Sequence, residues 1–508
     1  MSYKAIAPIP YTLYYGTFIH TPELAKLEIN INTLVGVDSS GRIDFIYRNF
    51  VATDQTPIDF FLEQQQEGKS ASASNFVVND IRLIDYSNQL CKFFFPGFID
   101  THIHASQFPN IGIGSDTPLL EWLNTYTFPL ESRFCLANGS ESKVEFAKDI
   151  YSKVIQRTLS NGTTCASYFT TIDPETTNLL ADLLLQLGQR GFVGKVCMDH
   201  NNPYPDYEES LEDCKKSMSL ILSHIDSVAP KGEELINPII TPRFAPTCSN
   251  EMLAYLGKLS ATNGLPIQTH ISENKQELEL VAKLFPNVEN YAEVYNQHHL
   301  LTERTILAHA IHLSQKECDL VSRKKSSISH CPTSNTFISS GEAPIYKYLY
   351  KDKINVSLGT DISGGFDSSI LQIVKHAILV SHHLSMKKDE EDVECKLSVT
   401  DGLYMATMGG ARAVGLKNMV GSFEIGKTFD AQLIDLDIGE RAGGGSQVDV
   451  FEWQIPKIDD SLEVKVKKVK DLLGKWIFSG DDRNCVSVWC NGRLVIDKYT
   501  KLQNGKAV

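Results

Sequence analysis

The sequence predicts an α/β protein: a (β/α)8 TIM-like barrel with a small β-sandwich domain built from both chain ends. Three observations carry that expectation. From about residue 93 the chain holds eight apolar strand-like runs, each closed by a polar or Gly-bearing junction, with helical patterns between several of them. Residues 1–92 and 416–508 lack that rhythm and carry short strand-like runs instead. The chain has 508 residues, 42% hydrophobic and 22% charged, enough for a barrel of residues 93–415 and a second domain.

In the N-terminal segment, residues 11–19, 35–46 and 81–86 read as strands. The insert 54–75 is rich in Ser, Ala, Gln and Glu and reads as a loop. The eight barrel runs are 93–104, 163–169 after Asn161-Gly162, 191–198, 237–244, 265–271, 305–312, 326–330 and 354–358. Helical patterns between them include 143–159 and 275–284. The acidic run at 387–392 reads as a solvated loop. Strands return at 428–435, 448–454, 475–478 and 486–496, where Asn491-Gly492 between apolar runs signals a hairpin.

Charge and composition exclude several classes. A net charge of −14 gives no electrostatic footprint for nucleic acid. No window is apolar enough to span a bilayer, and no basic-then-apolar leader opens the chain, so the expectation is a cytoplasmic protein without membrane partners. Eleven cysteines, an odd number with no Cys-x-x-Cys, fit a reduced protein with buried thiols. They also argue against a deaminase that binds zinc through cysteines.

The chemistry begins at Pro96-Gly97-Phe98-Ile99-Asp100-Thr101-His102-Ile103-His104. On a strand, residues i and i+2 share a face, so His-x-His aims two imidazoles at one point and can start a zinc or iron site. Fourteen histidines occur, and most have no argument from placement. His270, His309 and His330 differ because each lies at or near the end of an apolar run, and Asp361 closes the eighth after Leu358-Gly359-Thr360. So many polar groups at strand ends, which a barrel gathers at one mouth, are costly to bury unless a metal satisfies them.

These segments resemble the amidohydrolase superfamily, and within it the branch that deaminates guanine. The resemblance runs through His102-Ile103-His104-Ala105-Ser106-Gln107, Leu119 to Leu123, Thr241-Pro242-Arg243-Phe244 and His270-Ile271-Ser272-Glu273-Asn274. It continues through Ser329 to Asn335, Leu358 to Asp361 and Ser479 to Asn484. Departures are confined to Ala310 after His309, the insert 54–75 and the acidic run. The resemblance implies one Zn2+ per chain on His102, His104, His270 and Asp361. Arg243, where two-metal members carry a lysine ligand, agrees with a single metal. It further implies catalysis by Glu273, Asp361 and His309, acting at C2 of guanine to give xanthine and ammonia. Substrate contacts would come from His104, Ala105, Ser106, Gln107, Trp122, Arg243, Phe244, His270, Glu273, His309 and Asp361. Relatives of this kind suggest a homodimer.

Each role has a plainer alternative. Glu273 could be a helix-start glutamate favoured by the helix dipole. Arg243 could make a structural salt bridge, although its planar fork suits a purine O6/N7 edge. Phe244 and Trp122 could be core side chains. At the level of the whole chain, the competing readings are a deaminase of pterins, cytosine or triazines, and a non-catalytic scaffold on the same barrel.

Overall fold

The computed structural model describes residues 11–52, 55–67, 80–135, 142–202, 204, 207–229, 235–387, 395–437 and 448–498. The chain divides into two compact units, Phe98–Leu416 and Met1–Gly97 with Lys417–Val508. Among the described residues no helix is long and apolar enough to cross a membrane.

The first unit is a (β/α)8 barrel. Its strand positions are Phe98–His104, Thr163–Phe169, Arg190–Gly194 with Val196–Cys197, and Ile236–Pro238 with Thr241–Pro242. Ile267–Ile271, Thr305–His309, Ser327–His330 and Asn355–Leu358 complete the set. Neighbours pair in parallel all the way along. The ring closes where the Asp361 amide donates to the His102 carbonyl at 2.8 Å and Thr101 Oγ1 donates to the Leu358 carbonyl at 2.9 Å. Strands such as Thr163–Phe169 are buried along their whole length, as a parallel sheet enclosed on both faces requires.

Local chemistry sets the helices. Pro174–Leu187 starts at Asp173, whose side chain accepts from the Thr176 amide, with Pro174 in the first turn. It stops at Gly188 in the left-handed region. Lys143–Ser160 starts from Ser142, which accepts from the Val144 amide.

The second unit joins its strands into one eight-stranded sheet, so the expected sandwich takes the form of a continuous sheet with an apolar cluster on each face. Side chains alternate along Tyr11–Glu23: Tyr14 and Phe18 join Phe94, Phe429 and Trp489, while Tyr11, Leu13 and Tyr15 join Phe45 and Phe61. Asn491 and Gly492 have φ of 51° and 73° and turn Cys485–Cys490 into Arg493–Asp497, as a type I′ hairpin demands.

Several expected elements differ. The run 93–104 divides at Gly97: Lys92–Pro96 pairs antiparallel with Ala431–Asp435 and belongs to the second unit. The fourth strand is interrupted after Pro238, because proline offers no amide to the ladder. Inside the insert 54–75, Pro57–Gln66 is a helix, capped by Thr56 and anchored by Phe61 stacked on Tyr11 at 4.8 Å. Residues 475–478 lie in the helix Leu462–Ser479, which buries Val469, Leu472, Leu473, Trp476 and Ile477 at helical spacing. Segment 448–454 forms no strand, only the short 3-10 turn Glu452–Gln454. Beyond Lys387, the acidic run lies outside the described residues.

Candidate metal and active site

The barrel brings the strand-end residues together. His102 and His104 end the first strand, His270 approaches the end of the fifth, His309 ends the sixth and Asp361 follows the eighth. His309 and Asp361 hold φ of 69° and 48°, a left-handed conformation that non-glycine residues adopt at a cost of about 1–3 kcal/mol. The amide of Asp361 is tied to the first strand, which holds that turn in place.

Four ligand atoms, one each from His102, His104, His270 and Asp361, lie within 4.8 Å of one another. The Nε2 atoms of His102 and His104 are 3.1 and 3.3 Å from Asp361 Oδ1, and those of His104 and His270 are 3.2 Å apart. Burial lowers the pKa of His102 to about 4 and holds His270 well below its ordinary value, so both rings are neutral with a lone pair to give. His270 Nδ1 lies 2.7 Å from the Arg243 carbonyl, which places the proton on Nδ1 and frees Nε2. His102 Nε2 is buried and faces Asp361 Oδ1 at 3.1 Å without the geometry of a hydrogen bond. A set of three imidazoles and one carboxylate with a nitrogen so placed fits a single metal ion. Arg243 at the fourth strand's end cannot bridge a second one.

Glu273 and His309 stand beside this cluster. His309 Nε2 is 3.5 Å from Glu273 Oε2 and 3.7 Å from Asp361 Oδ2, and its Nδ1 is 2.9 Å from Asn335 Oδ1. Glu273 precedes the helix Lys275–Leu284, but Asn274 and Glu277 form that helix's capping box. The Glu273 carboxyl is thus free of a capping duty. Burial, then the Asp361 charge, pushes its pKa well above the usual carboxylate range.

A cavity opens over the cluster, bounded by His104, His270, Glu273, His309 and Asp361 on the polar side. Gln107, Trp122, Arg243 and Phe244 also line it. Ala105 and Ser106 do not; both are buried in the short helix Ala105–Asn110. Trp122 and Phe244 serve the core as well, in one apolar cluster with Phe128, Phe169 and Tyr207. Arg243 does make the salt bridge of the plainer reading: Nη1 donates to Glu131 Oε2 at 2.6 Å. Its guanidinium also lies 4.9 Å from the centre of the Phe128 ring. Glu131 is a hub, since Gln107 Nε2 donates to Oε1 and Tyr207 OH to Oε2, both at 2.8 Å.

Glu131, Asn335 and Asp100 were not singled out by sequence reasoning. For Glu131 the available signal was a lone carboxylate in Phe128-Pro129-Leu130-Glu131-Ser132. Asp100 sits inside the histidine motif itself; it accepts from the His102 amide at 3.2 Å and from Thr360 Oγ1 at 2.6 Å. It thereby ties the first strand to the turn that carries Asp361. His330 is fully buried at the end of the seventh strand, with neither ring nitrogen partnered, and stands outside the ligand set.

A barrel with these ligands at its strand ends defines a metal-dependent hydrolase, and comparison agrees: the chain belongs to the amidohydrolase family, whose sequence model matches residues 93–495. More particular similarity is to guanine deaminases. The chain is 43% identical to a probable guanine deaminase of Schizosaccharomyces pombe, over 95% of this chain and 83% of that one. It is 37% identical to the guanine deaminase of Homo sapiens, over 95% and 96%. The crystal structure of a guanine deaminase from C. acetobutylicum with guanine in its active site superposes with a TM-score of 0.77 at 32% identity, covering 95% of this chain and 99% of that one.

Proposed function

We infer that the protein hydrolyses guanine at C2, giving xanthine and ammonia, with one zinc ion per chain. The observation that carries this reading is the convergence of three imidazoles and Asp361 beneath a cavity that also presents Glu273 and Arg243. Zinc held by His102, His104, His270 and Asp361 would lower the pKa of bound water to about 7 and so supply a nucleophile at neutral pH.

The chain's own residues do the rest. Asp361 accepts the proton of the attacking water. Glu273, its pKa raised by burial, delivers a proton to the ring nitrogen beside C2, so two carboxylates divide acid and base work. His309, oriented by the bond that its Nδ1–H donates to Asn335 Oδ1, turns Nε2 toward Glu273 and Asp361, where it accepts a hydrogen bond from the attacking water. The C2–O bond forms and the C2–N bond breaks; the nitrogen leaves as ammonia with its electron pair and the proton that Asp361 took from water, while the C2 hydroxyl returns its proton to Glu273 as it becomes the carbonyl.

Arg243 spends one nitrogen on Glu131 and has further N–H donors for the O6/N7 edge of the purine. Phe244 offers a ring face to the base, and Gln107 and Trp122 complete the wall. Eleven cysteines without a disulfide support placement in a reducing compartment, the cytoplasm. The acidic chain carries no charge for nucleic acid, and a homodimer is proposed on the family resemblance alone.

The test is ammonia release from a panel of guanine, guanosine, adenine, cytosine and a pterin, with product identified. Guanine should give xanthine and one ammonia far faster than the others react. Preference for adenine or cytosine would leave the family standing and remove the guanine assignment.

A further inference from the structure

The seventh strand runs into the helix Pro332–Phe337, which carries Ser334 to the wall of the catalytic cavity. Ser334 is fully buried, and its Oγ has no hydrogen-bond partner. The neighbouring Asn335 has its duty in the contact with His309, and Ser334 has none among the protein's own atoms. A buried hydroxyl left unpaired is costly, and one facing a substrate cavity is a group waiting for its partner.

Gly364 also lines the cavity. A Cβ added there would lie 2.6 Å from Ser334 Oγ and 3.0 Å from Asp361 Oδ2. The glycine therefore keeps a niche open between the hydroxyl and the carboxylate. Its backbone is not in the left-handed region, so space and not conformation excludes a side chain.

We propose that Ser334 determines specificity for the 2-amino group of guanine, accepting a hydrogen bond from it in the niche that Gly364 leaves open. This rests on the guanine reading above. The reacting carbon must lie beside Asp361, which takes the proton of the attacking water. The amino nitrogen is bonded to that carbon and so falls into the space next to Asp361 Oδ2. That nitrogen carries two N–H donors in the substrate and three as it leaves in the form of ammonia. An acceptor placed there is used more strongly as the C2–N bond breaks, which raises kcat more than it lowers KM.

The experiment compares the zinc-loaded protein with Ser334→Ala, measuring guanine kcat and KM, zinc content and the inhibition constant of hypoxanthine. Hypoxanthine is guanine without the 2-amino group, so it has nothing to donate to Ser334. Ser334→Ala should lower guanine kcat about 10- to 100-fold, the scale of one lost hydrogen bond to a developing charge. KM, the hypoxanthine constant and zinc content should each stay within about twofold. Gly364→Ala should weaken guanine turnover while hypoxanthine still binds. Unchanged guanine turnover in Ser334→Ala would overturn the proposal and leave the guanine activity intact. A parallel loss of hypoxanthine binding or of zinc would overturn it too, because Ser334 would then be supporting the site as a whole. Failure of the unaltered protein to deaminate guanine is a separate result, and removes the reading beneath it.

Discussion

Glu273 and Arg243 show how a plain reading and a functional one part at single residues. The helix that follows Glu273 is already capped by Asn274 and Glu277, so the helix-start explanation has no work left for the Glu273 side chain. Glu273→Gln should keep fold and zinc while turnover falls at least ~10²-fold, the usual scale for a general acid or base. Steady-state kinetics with metal analysis checks this, and near-normal turnover would return the residue to a structural role. For Arg243 both readings hold, because one nitrogen meets Glu131 and the side chain lines the cavity. Arg243→Lys keeps a charge for Glu131 and loses the fork; guanine kcat/KM should fall by more than tenfold with zinc retained. Loss of zinc in step with activity would mean that the arginine only supports its neighbours. The ligands were legible because strand alternation fixes where His102 and His104 point. Glu131 was not, since its value lies in partners 112 and 76 residues away.

Among elements, the parallel strands were the easiest to read. Enclosed on both faces, they are written as short buried runs that mix apolar with small polar residues, and each junction after them carries a polar residue or a glycine. The misread pieces 448–454 and 475–478 share one cause: short stretches give too few residues to fix a period. The piece 475–478 looks strand-like alone, yet belongs to an 18-residue helix whose apolar stripe shows only over its full length. Tertiary contacts also override composition, as when Phe61 pins a helix within a polar insert. The sheet of the second unit holds a titratable weak point. Asp44 on Ile43–Tyr47 accepts from Tyr11 OH at 2.6 Å, but its Oδ2 is buried without a partner. Burial, more than the nearby Asp38 charge, pushes its carboxyl from an ordinary 3.8 up to about 6. A raised carboxyl pKa favours the protonated, folded form, so its contribution is full below pH 3.8 and is lost as pH rises through about 6. Asp44→Asn, neutral throughout, should raise the melting temperature at pH 8, by the equivalent of about 1–2 kcal/mol, and change it little at pH 4. Thermal unfolding at the two pH values decides it; a lower melting temperature at pH 8 would show that the ionised carboxylate is stabilising.

Taken whole, the molecule places its reactive groups within the barrel unit Phe98–Leu416, where five strand positions contribute the ligand set, Arg243 and His309. The ring is closed by the backbone bond from Asp361 to His102, so two of the four candidate metal ligands also seal the barrel. Asp100 reinforces that seam through Thr360. Such a site is made by closure of the fold and not by any one segment. The most direct test titrates zinc into metal-stripped protein and follows guanine turnover together with bound metal. Activity should rise linearly to one equivalent per chain and then stop, and His270→Ala should neither bind that equivalent nor gain activity. Turnover that requires two equivalents, or that persists in metal-stripped protein, would contradict the account.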